Sequence, residues 1–240
     1  MSQHASMPAD ERRSRRGGTV PRLPGRFRAV VFDMDGLLVD SEPLWHRAEA
    51  RLLRERGLDQ PVLAKASTVG MAPRQTLELY ARLLGLNRSE LPGLWTDLRA
   101  IMLELYGSEL VRLPGAAELV ATLRGRVALA IASNTDRDLV LFALSAAGFQ
   151  DAFDAVVSAE DVGRSKPAPD VYLEACRRLG VPAADAVALE DSPTGVAAAR
   201  AAGLAVIAVP QFEGVDVSGA DWIIGSLEEL RPDAAESTAG

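Results

Sequence analysis

The chain has 240 residues, 48% of them hydrophobic and 25% charged, enough to bury a full core in one large domain or two unequal ones. A formal net charge of -7 disfavours a general binder of nucleic acid or anionic membrane, because either task needs a basic face to meet phosphates. The one cysteine, Cys176, excludes an intramolecular disulfide and fits a reducing cytosol. It reads as a small core hydrophobe inside the helical pattern "YLEACRRLG". No apolar run approaches the roughly 20 residues that span a bilayer, and the N-terminus lacks the apolar core of a signal peptide. A cytoplasmic location follows as the expectation.

Residues 1–26, "MSQHASMPADERRSRRGGTVPRLPGR", are polar, arginine-rich and broken by Gly and Pro. They carry too little apolar area to order themselves and are expected to form a disordered tail. A transit peptide is disfavoured by Asp10, Glu11 and the prolines. The first apolar run, "AVVFD" (29–33), ends in the stretch "DMDG". Period-two geometry sends Asp33 and Asp35 to one side and Met34 to the other, and Gly36 permits a tight exit. About ninety residues separate this run from the next, far more than a crossover needs, so the spacing predicts an insertion. Its pattern is helical: Leu77, Tyr80, Ala81 and Leu84 share one face, as do Leu94, Leu98, Ile101 and Leu105. Gly57, Pro61, Pro73, Pro92 and Gly93 punctuate the helices.

Further runs follow at "VALAIASN" (127–134), "AVVSAE" (155–160), "AVALED" (186–191) and "AVIAVP" (205–210). Helical patterns separate most of them, including "GAAELVATLR", "RDLVLFALSAAG", "PDVYLEACRRLG" and "SPTGVAAARAAG". The economical fold is α/β, a doubly wound, Rossmann-like parallel sheet with helices on both faces. The expected division is a core domain of residues 27–43 and 111–230 carrying a helical cap domain of residues 44–110. Two side-by-side links, "LLVDSEP" and "YGSELVRLPG", would permit hinge motion of one on the other.

Open α/β sheets bind ligands beyond the carboxyl ends of their strands. The residues at those ends are Asp33, Ser133 with Asn134, and Glu190 with Asp191. Carboxylates converging at one sheet edge repel one another unless protonated or bridged by a hard cation, and magnesium with oxygen ligands suits them. After Asp191, "SPTG" (192–195) opens a helix with Pro in its first turn and free amides that add positive potential. Lys166 stands in "GRSKPAPD", a loop stiffened by Pro167 and Pro169, where its ammonium can neutralise a phosphoryl oxygen. Ser133 and Asn134 can donate hydrogen bonds to the same group.

The segments "DMDG", "ASN", "SKPAPD" and "LEDSPTGV", in this order and spacing, resemble the four motifs of the haloacid dehalogenase superfamily, in its phosphatase and phosphomutase branch. The resemblance covers residues 28–225 and places the cap as in members with a helical cap after the first motif. "FDMDGLLVDSEPLW" is most similar to bacterial phosphatases of sugar phosphates and sugar-alcohol phosphates. The resemblance implies that Asp33 attacks phosphorus to give an aspartyl-phosphate, while Asp35 protonates the leaving oxygen and then deprotonates water. It implies Mg²⁺ held by the Asp33 side chain, the Asp35 main-chain carbonyl and Asp191, with Glu190 in support. Ser133 and Lys166 would bind the phosphoryl group, assisted by Asn134.

In the cap, Arg74 is a candidate substrate contact because a guanidinium suits a polyol or a second anion, and Trp45 can wall the pocket. Asp40 and Ser41 read as the start of the opening cap helix, and His46 as a surface or interdomain residue. The alternative activity is a phosphomutase of the β-phosphoglucomutase type, whose pattern has a histidine where this chain has Trp45 and an arginine one residue out of register with Arg74. A non-catalytic phosphate-ligand binder is disfavoured because Asp33, Asp35, Lys166 and Asp191 are all present. A carbon–halogen hydrolase uses one aspartate and no metal, and a phosphonate hydrolase needs a cap lysine, of which Lys65 is the sole example. The expected partner is a small phosphorylated metabolite, met by a monomer with no nucleic acid or membrane involved.

Overall fold

The computed structural model describes residues 20–58 and 73–230. Strands β1 (Ala29–Phe32), β2 (Ala128–Ala132), β3 (Ala155–Val157), β4 (Ala186–Glu190), β5 (Ala205–Ala208) and β6 (Trp222–Ile223) form one sheet in the order β3-β2-β1-β4-β5-β6. Every neighbouring pair is parallel. The five runs seen in the sequence are the first five strands. The two-residue β6 has no pattern of its own and exists by pairing with the edge of β5.

The strands alternate bulky and small residues, which gives the sheet two unlike faces. Val30, Phe32, Leu129, Ile131, Val187 and Leu189 lie on one face, in a core shared with the helices α4 (Ala116–Leu123) and α5 (Arg137–Ala146). Ala29, Val31, Ala130, Ala132, Ala186 and Ala188 line the other. Against that low surface pack α6 (Asp170–Leu179), through Val171, Tyr172, Ala175 and Cys176, and α7 (Pro193–Ala201), through Val196, Ala198 and Ala199. Cys176 is buried in this layer, as its helical context implies.

Between β1 and β2 stand α1 (Glu42–Glu55), α2 (Pro73–Leu83) and α3 (Leu91–Glu109). Their apolar faces close on one another through Leu44, Ala48 and Leu52 of α1, Leu77, Tyr80 and Ala81 of α2, and Leu94, Leu98, Ile101 and Leu105 of α3. α1 begins two residues before residue 44. The chain leaves and re-enters the sheet on adjacent paths: the Asp40 amide donates to the Val111 carbonyl and the Leu113 amide to the Leu38 carbonyl, both at 3.0 Å. Among the described residues no helix is long and apolar enough to cross a membrane. The expected disordered tail of residues 1–26 is too long: Leu23 is fully buried in the core with Val20 packed against it, because these two apolar side chains find the sheet layer, while residues 1–19, Lys65 and Gly70 lie outside the described residues.

Candidate active site

The sheet order places β1 between β2 and β4, whose connections leave in opposite directions, so a crevice opens beyond the carboxyl end of β1. Register aligns the ends: Phe32 pairs with both Ile131 and Leu189. Asp33 and Glu190 continue the small-residue face, so their carboxylates turn toward α6 and the loop before it. There the Lys166 ammonium, 5% exposed, donates to Asp33 Oδ1 at 2.5 Å and to Glu190 Oε1 at 2.6 Å. The Tyr172 hydroxyl of α6 donates to the same Glu190 oxygen, and its ring lies 5.1 Å below the ammonium. Asn134 pins the lysine from behind, with Oδ1 accepting the Lys166 amide at 2.8 Å and Nδ2 donating to the Lys166 carbonyl at 3.3 Å. Its carboxamide thus sets the lysine loop, a structural task beside the phosphate contact expected of it.

Charge in this cluster does not balance. Asp33, Glu190 and Asp191 each offer a carboxylate oxygen, all within 4.8 Å of one another, against the single Lys166 ammonium. Burial pushes the Asp33 carboxyl up to about 7, with Lys166 opposing and Glu190 and Asp35 adding to the rise. Burial and the charges of Asp33 and Glu190 raise Asp191 as well. Burial alone would lower Lys166, but its pairing with Asp33 and Glu190 outweighs that and holds it above its ordinary value. Surplus negative charge on hard oxygen donors is the environment a divalent cation such as magnesium occupies, so these residues fit that ion. The space is guarded by glycines. A Cβ on Gly36, whose φ is +77°, would run into the Asp191 carboxylate, and one on Gly195 would run into that of Glu190.

Asp35 sits apart from the lysine in a ring of hydroxyls. Its Oδ1 accepts from Ser41 at 2.6 Å and from Tyr106 at 3.2 Å, and its Oδ2 accepts from Thr135 at 2.8 Å and, more distantly, from Ser133 at 3.5 Å. Burial and the neighbouring Asp35 keep the Tyr106 phenol well above its ordinary pKa, and therefore neutral. Ser41 does occupy the N-cap of α1, yet its side chain makes no cap bond; the hydroxyl serves Asp35 instead. Ser133, by contrast, does not stand at a helix N-cap. The N-cap of α5 is Asp136, and Ser133 Oγ accepts the Thr135 amide at 3.0 Å.

Asp33, Asp35, Ser133, Asn134, Lys166 and Asp191 line one cleft of about 580 Å³, with Glu190 directly beneath Lys166. Its far wall comes from the inserted helices through Glu42, Trp45, His46, Glu49 and Thr76. Trp45 stacks on Trp95 with ring centroids 6.5 Å apart, and Glu49 accepts from the Tyr80 hydroxyl at 2.6 Å. Arg74 is in the first turn of α2, but its side chain lies outside the described residues. The sequence reading missed Tyr106, Tyr172 and Thr135 as site residues. Thr135 follows "ASN" directly and was legible as a neighbour, whereas the tyrosines look like ordinary core positions of helical faces.

A family model for haloacid dehalogenase-like hydrolases matches residues 27–203. The chain is 34% identical over 212 residues to Hexitol phosphatase B of Escherichia coli K12, covering 86% of this chain and 96% of the relative. It is 35% identical over 214 residues to Protein CbbY of Rhodobacter capsulatus, covering 84% and 94%. The crystal structure of CbbY from Rhodobacter sphaeroides in complex with phosphate superposes with a TM-score of 0.73 at 30% identity, covering 85% of this chain and 96% of that one. The chain belongs to the haloacid dehalogenase-like hydrolase family. It is an enzyme, one of the superfamily's phosphatases.

Proposed function

We propose that this enzyme is a magnesium-dependent phosphomonoesterase acting on a small sugar phosphate or sugar-alcohol phosphate through an aspartyl-phosphate on Asp33. The observation that carries the reading is the placement of Asp33 at the end of the central strand, 2.5 Å from a buried lysine. Asp35, two residues on, is held by neutral hydroxyls and, among the described residues, pairs with no cation. A nucleophilic carboxylate must be oriented and charge-balanced, which the Lys166 bond does for Asp33; Asp35, held on hydroxyls instead of that lysine, is placed beside it to serve the leaving oxygen.

An Asp33 carboxylate oxygen attacks phosphorus as the bond to the leaving oxygen breaks, and Asp35 passes its proton to that oxygen. Asp35, now a carboxylate, takes a proton from water; the hydroxide attacks the same phosphorus, and inorganic phosphate departs with Asp33 restored. Lys166 and Ser133 meet the equatorial phosphoryl oxygens, and Asn134 acts by holding the Lys166 main chain. Magnesium, when bound, neutralises developing charge on the phosphoryl oxygens, and Asp33, the Asp35 main-chain carbonyl and Asp191 would hold it, with Glu190 supporting through Lys166.

The inserted helices, as a cap, supply the leaving-group wall. Among the described residues that wall carries the carboxylates of Glu42 and Glu49 beside Trp45 and His46 and no lysine or arginine, Arg164 standing on the core side, which favours a neutral polyol over a distal phosphate and so transfer to water over a mutase cycle. Similarity to Hexitol phosphatase B supports the same substrate class. The absence of a second cysteine supports a cytoplasmic setting.

The test is phosphate release from sugar monophosphates, hexitol phosphates, nucleotides and phosphoglycolate, with glucose 6-phosphate formation from glucose 1-phosphate followed in parallel. Sugar or hexitol monophosphates should be the best substrates, with activity lost in excess chelator and restored by magnesium. Full activity in chelator, or isomer formation outpacing phosphate release, would overturn the reading.

A further inference from the structure

We infer that Tyr106, on the last inserted helix, is a positioning residue for the proton transfer carried by Asp35. The inference rests on Asp35 being the acid and base, as proposed above. Tyr106 is 1% exposed, and its hydroxyl lies 3.2 Å from Asp35 Oδ1, the oxygen that also accepts from Ser41. Thr135, from the loop after β2, holds the other oxygen at 2.8 Å. Ser41 and Thr135 hold one oxygen each, and Tyr106 adds a second donor to Oδ1 from the inserted helices, which narrows the rotation left about the broad Cβ–Cγ torsion. Donors on both oxygens, from opposite sides, fix the carboxyl plane and therefore the direction in which its proton points.

Tyr106 suits the task because a rigid ring carries its hydroxyl from a helix backbone, with little freedom to lose. It also links that orientation to the inserted helices. Tyr106 lies in the last turn of α3, four residues before Leu110, and the chain re-enters the core at the Asp40–Val111 hydrogen bond. The hydroxyl thus ties the Asp35 carboxyl to the end of α3, where the chain returns to the core.

The test separates leaving groups. Breaking a bond to an alkoxide needs the proton, whereas breaking one to p-nitrophenolate scarcely does. For Tyr106→Phe, kcat/KM for an alkyl or sugar monophosphate should fall about 10-fold, and for p-nitrophenyl phosphate less than about 2-fold. Tyr106→Met, which also lacks the hydroxyl and adapts its shape to the site, should show the same pattern if the phenylalanine variant folds poorly. Asp35→Asn is run beside them. Equal falls on both substrates in the Tyr106 variants, with Asp35→Asn keeping the leaving-group preference, would overturn the role of Tyr106 alone. Loss of that preference in Asp35→Asn would overturn the acid reading of Asp35 and this inference with it.

Discussion

Gly195 lies in the first turns of α7, where alanine would ordinarily stabilise a helix by about 1 kcal/mol. Here the Glu190 carboxylate occupies the place a Cβ would take. Glu190 cannot move aside cheaply, since it is fully buried and bound by Lys166, Tyr172 and Ser192. Gly195→Ala is therefore expected to lower the thermal unfolding midpoint and to cut activity by displacing Lys166. An unchanged or higher midpoint with full activity would mean that Glu190 does not hold the lysine. The same reasoning explains why a glycine follows "SPT" in a helix that otherwise favours alanine.

At the scale of elements, the sequence announces those that carry their own periodicity. β1, β2, β4 and β5 appear as short continuous apolar runs because both sheet faces are covered, and α3 appears through Leu94, Leu98, Ile101 and Leu105. β6 does not, because Trp222 and Ile223 become a strand only by pairing with β5. Within the site, residues inside a local motif are legible: Asp33, Asp35, Ser133, Lys166, Glu190 and Asp191 stand next to glycines, prolines or strand ends that give them away. Tyr106 and Tyr172 are not, because each sits at a buried position of an amphipathic helix where a tyrosine needs only its ring to explain it. What distinguishes them is the destination of the hydroxyl, 71 residues away at Asp35 for Tyr106 and 18 at Glu190 for Tyr172. Ser41 is a subtler case. Its position at the start of α1 is that of a cap, but tertiary structure gives its hydroxyl a stronger acceptor in a carboxylate.

The whole molecule stores unbalanced negative charge at the sheet edge, and this links pH, metal and stability. The Asp33 carboxyl is pushed up to about 7 from an ordinary value of 3.8, and Asp191 is raised too. A carboxyl raised in the folded state contributes stability that is fully present below 3.8 and lost as pH climbs through about 7. A cation must displace those protons, so it binds better as pH rises through the same window. The gain in unfolding midpoint on adding excess magnesium should thus be several degrees at about pH 8 and nearly absent at about pH 5. An equal gain at both would place the ion elsewhere. Phosphorylation of Asp33 can be read directly by peptide mapping of an acid-quenched reaction. Asp35→Asn with p-nitrophenyl phosphate is the system of choice, since the good leaving group forms the phosphoenzyme while loss of the base delays its hydrolysis. A burst of p-nitrophenol matching the enzyme concentration is expected, with the phosphoryl group on Asp33 in the tryptic peptide of residues 29–47. A phosphoryl group on any other side chain, or turnover with no burst, would contradict it.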